Sequence, residues 1–217
     1  MEAPTRQHLL AAKRILRYLK GTQGYGIWYK QGSGEDCLMG FTDSDYAGDS
    51  DDRKSTSGYI YFLAGGAVFW ASKKQLVVTL STTEAEFVAA AYCVAQGVWL
   101  RRILADIGWK SSVEKGTVIM CDYSSTIKLS KNPVLHGRSK HIDVRFHFLR
   151  ELVRDEIVEL RYCGTKEQVA DIMTKGLSLE AFCRLREELG VCDVFGSEEG
   201  INDELKPAAE VLQFRGG

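Results

Sequence analysis

The sequence predicts an α/β protein: a mixed sheet of about five strands, an antiparallel meander joined to parallel strands, flanked by helices. Three observations carry this. Short apolar runs separated by tight-turn residues come first along the chain. Helical and strand-like segments alternate after them, as crossover connections between parallel strands require. Composition is that of an ordinary globular chain, with 45% hydrophobic and 26% charged residues in 217.

The elements follow from local patterning. His8 to Lys20 spaces Leu9, Leu10, Ile15, Leu16 and Leu19 at helical intervals between bases, and Gly21 stops the helix. Tyr25–Lys30 reads as a strand and Gly32-Ser33-Gly34 as a turn. Leu38–Thr42 is a second strand, ending at Asp43-Ser44-Asp45. The polar run Gly48–Ser57 reads as a loop. Tyr59–Leu63 and Val68–Ser72 form a hairpin about Gly65-Gly66. The longest helix runs from Thr82 to Ile107 and closes at Gly108. Thr117–Cys121 is a short β-branched strand, Ser124–Ser130 a short helix ended by Asn132-Pro133, and Asp143–Arg154 another helix. Ile157–Tyr162 is a strand, and helices follow at Val169–Thr174 and Leu179–Leu189. The boundaries suggest an N-terminal helix and strand over 1–36, a main domain over 37–177, and a C-terminal helix with an acidic tail over 178–217.

Charge is uneven. Residues 191–217 carry six acids and two bases, so the tail is −4 and the remaining body +3, although the whole chain is −1. The net charge alone argues against a nucleic-acid binder, but the division reopens that class. No run approaches the ~18 apolar residues of a membrane span. The start, MEAPTRQHLL, lacks a signal layout, so an intracellular protein, cytoplasmic or nuclear, is expected. The six cysteines are dispersed without zinc spacing and are expected to be reduced and mostly buried.

Two aspartates follow apolar strands immediately: Asp43 and Asp122. In a mixed sheet, sites gather beyond the carboxyl ends of parallel strands. Two acids meeting there need a cation between them, and hard oxygen donors imply Mg²⁺ or Mn²⁺. Taken singly, each is equally a turn former or helix cap. In Ser81-Thr82-Thr83-Glu84-Ala85-Glu86, Ser81 and Glu84 read as a capping box, whereas Glu86 lies about 200° round the helix from Glu84. Glu86 shares its face with Ala89, Ala90, Cys93 and Gly97, a stripe suited to lying close on a sheet. An acid on that face is costly without a cation, so Glu86 is the ligand candidate and Glu84 the structural acid. Asp171, early in a short helix, is by itself an acid favoured by the helix dipole.

Several segments resemble the ribonuclease H domain of copia-type LTR retrotransposons. They are Phe41 to Asp49, Arg53 to Tyr59, Ser72-Lys73-Lys74-Gln75, Ser81 to Phe87, Lys140-His141-Ile142-Asp143 and Gln168 to Lys175. The match runs in order over roughly residues 20–177, and the upstream helix resembles the end of the reverse transcriptase in such polyproteins. The resemblance implies a ribonuclease H-like fold and four catalytic, metal-binding acids, which fall on Asp43, Glu86, Asp122 and Asp171. Asp45, in the same Asp-x-Asp motif, is the second choice for its first acid. It turns away from the side of Asp43 only if the strand ends at Asp43. The implied activity is hydrolysis of the RNA strand of an RNA–DNA hybrid by two Mg²⁺ ions, with Mn²⁺ as a substitute. Implied partners are that hybrid and the reverse transcriptase portion of the same polyprotein, with no membrane. Tyr123, Ser124 and Gly164 depart from the family pattern without removing a metal ligand, and no Tyr-x-Asp-Asp polymerase motif is present. A weak or inactive remnant that binds nucleic acid or protein is the alternative. A transposase-type nuclease on the same fold fits the ordered motifs less well.

Substrate contacts are expected from Ser44, Ser81, Thr82 and Ser124 beside the acids. The segment His136–Arg150 adds Arg138 and Lys140, with Arg145 and Arg150, as a phosphate-tracking stretch. Lys73 and Lys74 are candidates for the DNA strand. Trp70 and Trp99 are expected in the core.

Overall fold

A computed structural model describes residues 3–29, 37–109, 116–131 and 140–194. The chain divides into two units, one of Tyr29–Leu177 and one of its two ends, up to Trp28 and from Ser178.

The larger unit holds a five-stranded sheet of β2 (Met39–Asp45), β3 (Thr56–Leu63), β4 (Gly66–Lys74), β5 (Thr117–Cys121) and β6 (Val158–Tyr162), in the order β4-β3-β2-β5-β6. The first three pair antiparallel, and β5 and β6 run parallel to β2. This is the mixed sheet, an antiparallel meander joined to parallel strands, that the sequence predicts. The β3–β4 hairpin turns on Ala64 and Gly65, both at positive φ (52° and 76°), the left-handed pair that a tight hairpin needs. Helices α2 (Thr82–Asp106), α3 (Ser124–Lys131) and α4 (Lys140–Arg154) make the crossovers.

One face of the sheet carries the core. Tyr59 and Tyr61 of β3, Ile119 of β5, and Val158 and Leu160 of β6 pack with Phe87, Ala90, Cys93 and Val94 of α2 and Leu149 of α4. The small-residue stripe of α2 does what its pattern predicts: Ala89, Ala90, Cys93 and Gly97 are all buried. At its end, a Cβ on Gly97 would stand 2.4 Å from the Tyr61 hydroxyl oxygen. That hydroxyl is fixed, donating to the Cys93 carbonyl oxygen at 2.7 Å. Gly97→Val is therefore expected to cost about 2–3 kcal/mol, because α2 must lift or Tyr61 must leave its hydrogen bond. Thermal and urea denaturation read the loss, and an unchanged midpoint would show that the helix does not lie this close.

Several expectations are corrected. Strand β2 continues to Asp45 and β3 begins at Thr56, since the two pair from Met39–Phe62 to Asp45–Thr56. Trp70 and Trp99 are not core residues but 51% and 50% exposed: Trp70 lies on the edge strand β4, and Trp99 of α2 meets the Phe69 ring of β4 edge to face at 6.4 Å. Val169–Met173 is a 3₁₀ turn rather than an α-helix. Only Cys93, Cys121 and Cys163 are buried, and none of the six cysteines forms a disulfide.

The smaller unit contains α1 (Arg6–Gly21), β1 (Tyr25–Ile27), α5 (Leu179–Glu188) and β7 (Val191–Asp193). β1 does not join the main sheet. It pairs antiparallel with β7, which the charge count had placed in the tail. The Tyr18 and Phe182 rings meet edge to face at 5.9 Å, and the buried Arg186 guanidinium lies 4.7 Å over Tyr25. The residues of the acidic tail beyond 194 lie outside the described residues.

Candidate metal centre

The parallel register of β2 and β5 pairs Met39 with Val118 and Phe41 with Met120. Continued two residues further, it sets Asp122 beside Asp43. Asp43 itself pairs with Gly58 of β3. A Cβ at Gly58 would meet Thr174 Cγ2 at 2.5 Å and Met173 Cβ at 2.8 Å. The missing side chain lets the Val169–Met173 turn press onto the sheet and bring Asp171 to Asp43. Glu86 arrives from the first turns of α2, whose N-cap Ser81 accepts from the Glu84 amide at 3.2 Å. Glu84 is structural, as expected, but its carboxylate takes the Leu80 amide (2.6 Å) rather than closing a box on Ser81.

Carboxylate oxygens of Asp43, Asp122 and Asp171 lie within 4.8 Å of one another. Glu86 joins through Asp122: an oxygen of each and the Cys121 sulfur form a second group within the same limit. The three acids singled out from the residues, Asp43, Glu86 and Asp122, and the fourth that the resemblance implies, Asp171, therefore fall in two groups that share Asp122. Asp45 shares the strand face of Asp43, because β2 continues, but its carboxylate is turned to the Thr56 amide.

The electrostatics are those of acids held together without enough positive charge. Burial first, and then Asp43 and Asp122, push the Glu86 carboxyl up to about 9. Asp122 and Asp171 are also raised, again chiefly by burial, with Asp43 adding to both. Glu86 Oε2 is buried with no hydrogen-bond partner among the described residues, while Oε1 accepts from the Ser44 amide at 3.3 Å. Lys175 reaches Asp43 at 3.1 Å and Asp171 at 2.7 Å. Burial works against its charge, but the Asp171 hydrogen bond and Asp43 hold its pKa above the ordinary lysine value. The Cys121 thiol is pushed up by burial and stays protonated, so the useful donors are hard carboxylate oxygens. Such a set, with an orphaned buried oxygen, fits Mg²⁺ or Mn²⁺.

A buried glutamine braces this end of the sheet. Gln75 Nε2 donates to Ser57 Oγ (2.9 Å), the Ala85 carbonyl (3.0 Å) and Ser44 Oγ (3.3 Å), tying β3, α2 and β2 together. Gln168, also fully buried, donates to the Thr42 carbonyl at 2.9 Å and anchors the turn that carries Asp171.

The predicted substrate contacts fare unevenly. Ser44 is corrected: it is 4% exposed and lies between Gln75 and Glu86, so it positions Glu86 rather than meeting a substrate. Ser81 is exposed and Thr82 partly exposed at the start of α2, and Ser124 is exposed at the start of α3. Arg138 and the side chain of Lys140 lie outside the described residues. Arg145 and Arg150 are employed inside the fold: Arg145 donates to the Tyr92 hydroxyl (3.1 Å) and stacks over its ring, and Arg150 donates to the Leu129 carbonyl (3.3 Å). Lys74 is paired with Asp49 (2.6 Å) and Asp52 (2.9 Å). The residues that sequence reasoning missed are Gln75, Gln168, Thr174 and Lys175. Lys175 stands four residues after Asp171, a spacing that suggests a paired charge once Asp171 is seen as a ligand.

No family model matches the chain. It is 44% identical over 88% of its length to the retrovirus-related Pol polyprotein from transposon TNT 1-94 of Nicotiana tabacum. It is 40% identical over 89% of its length to that from transposon RE1 of Arabidopsis thaliana. The chain spans only 14% and 13% of those two relatives. The crystal structure of LC11-RNase H1 in complex with an RNA/DNA hybrid aligns at a TM-score of 0.43 and 11% identity. That alignment covers 63% of this chain and 93% of the other.

Proposed function

Because the chain is homologous to a segment of the retrovirus-related Pol polyproteins of plant transposons, we propose that it is their ribonuclease H activity: a metal-dependent endonuclease that hydrolyses the RNA strand of RNA–DNA hybrids. The observation that carries the reading is the convergence of Asp43, Asp122 and Asp171, with Glu86 joined through Asp122. Chance surface acids do not explain it, because Asp43 and Glu86 are 1% and 4% exposed. Four carboxylates drawn together at the cost of burial imply that positive charge completes the site.

These four residues would hold the divalent ions. Bound there, such ions lower the pKa of the attacking water and neutralise charge on the leaving 3′ oxygen. The protein's own part is to fix the donors. β2 and β5 hold Asp43 and Asp122 side by side, Gln75 and Ser44 set Glu86, and Gln168 sets the turn of Asp171. Without cations the cluster repels a phosphodiester, so approach of the substrate would depend on cations held by these acids. Ser81, Thr82 and Ser124 are the proposed substrate contacts near the acids, and Arg138 and Lys140 the proposed phosphate contacts. The reverse transcriptase portion of the same polyprotein is the proposed protein partner.

Incubation with a labelled hybrid, duplex RNA and duplex DNA, each with Mg²⁺, Mn²⁺ or chelator, tests the reading. Cutting is expected for the hybrid alone, in the RNA strand, and only with metal. Tight hybrid binding without cutting in either metal would replace the nuclease with a binding module. No binding to any of the three would remove both.

A further inference from the structure

Two acids of the metal centre, Asp43 and Asp171, hold a lysine between them. Lys175 Nζ lies 3.1 Å from Asp43 Oδ1 and 2.7 Å from Asp171 Oδ1. Its backbone amide donates to the Asp171 carbonyl at 3.0 Å, so the ammonium folds back onto the turn that carries Asp171. The other Asp43 oxygen accepts from the Thr174 hydroxyl. Both oxygens of a carboxylate that is 1% exposed are thus taken by consecutive side chains at the end of one 3₁₀ turn. Lys175, by contrast, is 37% exposed. Its stem is long, flexible and partly in solvent, so its ammonium has water within reach, while Asp43 is fixed in β2.

An ammonium between two acids performs part of a metal's work, because it offsets their repulsion. The same lone pairs cannot serve an ammonium and a metal ion at once. Resting on the metal-centre reading above, we infer that Lys175 is a tethered competitor of the divalent cation: it closes the Asp43–Asp171 pair when metal is absent and must move out before metal loads. A lysine with a purely structural role makes a different prediction. Its removal would loosen the turn and leave metal affinity equal or weaker. A competitor's removal strengthens metal binding while weakening the metal-free fold, and that opposition of sign is the signature.

Calorimetric titration of Mn²⁺ into the full chain and its Lys175→Met variant provides the test, with thermal denaturation of both in chelator. Met keeps the length of the stem and removes the charge. The variant is expected to bind Mn²⁺ about tenfold more tightly and to melt lower without metal. Equal or weaker Mn²⁺ binding by a folded variant overturns the inference and leaves the metal centre standing. Absence of Mn²⁺ binding by both proteins overturns the metal centre and the inference together. Should the variant not fold, the unmodified chain still decides the matter. Amine acylation with and without Mn²⁺ is read at Lys175 by peptide mass spectrometry. Release of the ammonium is expected to raise labelling severalfold on Mn²⁺ addition, and unchanged or reduced labelling overturns the inference.

Discussion

Asp122→Asn is expected to lower metal-dependent hydrolysis of the hybrid by about 10³-fold or more, the largest loss of any single conservative change in this chain. Asp122 is the one acid common to both clusters, so its charge would be felt by any ion bound in either. Asn keeps the volume and one carbonyl oxygen but removes the charge. The fold should not suffer. Burial and the neighbouring Asp43 already disfavour the Asp122 charge, so its removal relieves the metal-free site. The expected pair of results is lost cutting with an unchanged or raised melting temperature in chelator. Initial rates on a labelled hybrid, taken across a Mg²⁺ titration, separate lost affinity from lost chemistry. A rate within tenfold of the unmodified chain would mean that Asp122 is a strand-end turn former and nothing more.

Local pattern made the sheet and its helices legible because each element's signal lies within a few residues. The β-branched run of Thr117–Cys121, the capped start of α2 at Ser81 and the hairpin turn at Gly65 each need no distant partner. Three acids were legible for the same reason: Asp43 lies near the carboxyl end of β2, Asp122 directly follows β5, and Glu86 sits on the buried face of α2. Asp171 was different. Its place depends on Gly58, more than a hundred residues earlier, having no side chain to hold the turn away. Only family resemblance raised it from a helix-dipole acid to a candidate ligand. Trp70 and Trp99 are half exposed against expectation, since period alone does not distinguish a core aromatic from one on an edge strand or one that covers only the margin of the sheet. The pairing of β1 with β7 was missed because both strands are three residues long and join opposite ends of the chain. Arg145 and Arg150 show a further limit. A base spaced for phosphate is equally spaced to reach a neighbouring ring or carbonyl, and here each does.

Glu86→Gln should move stability and activity in opposite directions. In the metal-free chain, burial first, then Asp43 and Asp122, raise the Glu86 carboxyl from 4.5 to about 9. Between those values the folded chain keeps a proton that the unfolded chain has released. Stability from this group is therefore fully present below the unfolded pKa and declines as pH rises, until it is lost above the folded one. Gln carries no such proton, so its advantage over Glu is absent near pH 4, grows through neutrality and is greatest near pH 9. Around pH 8 the gain is expected to be about 2 kcal/mol, the scale of relieving a buried and poorly compensated carboxylate. Saturating Mn²⁺ reverses the order: the ion stabilises the charged Glu86 and finds a weaker donor in Gln. Hybrid cleavage falls by about 10²-fold or more, because the ligand has lost its charge. Thermal denaturation across pH, with chelator and then with Mn²⁺, reads all of this in one series. If Glu86→Gln were no more stable than the unmodified chain at high pH in chelator, the carboxyl would already be compensated without metal, and the electrostatic case for a cation at Glu86 would fall.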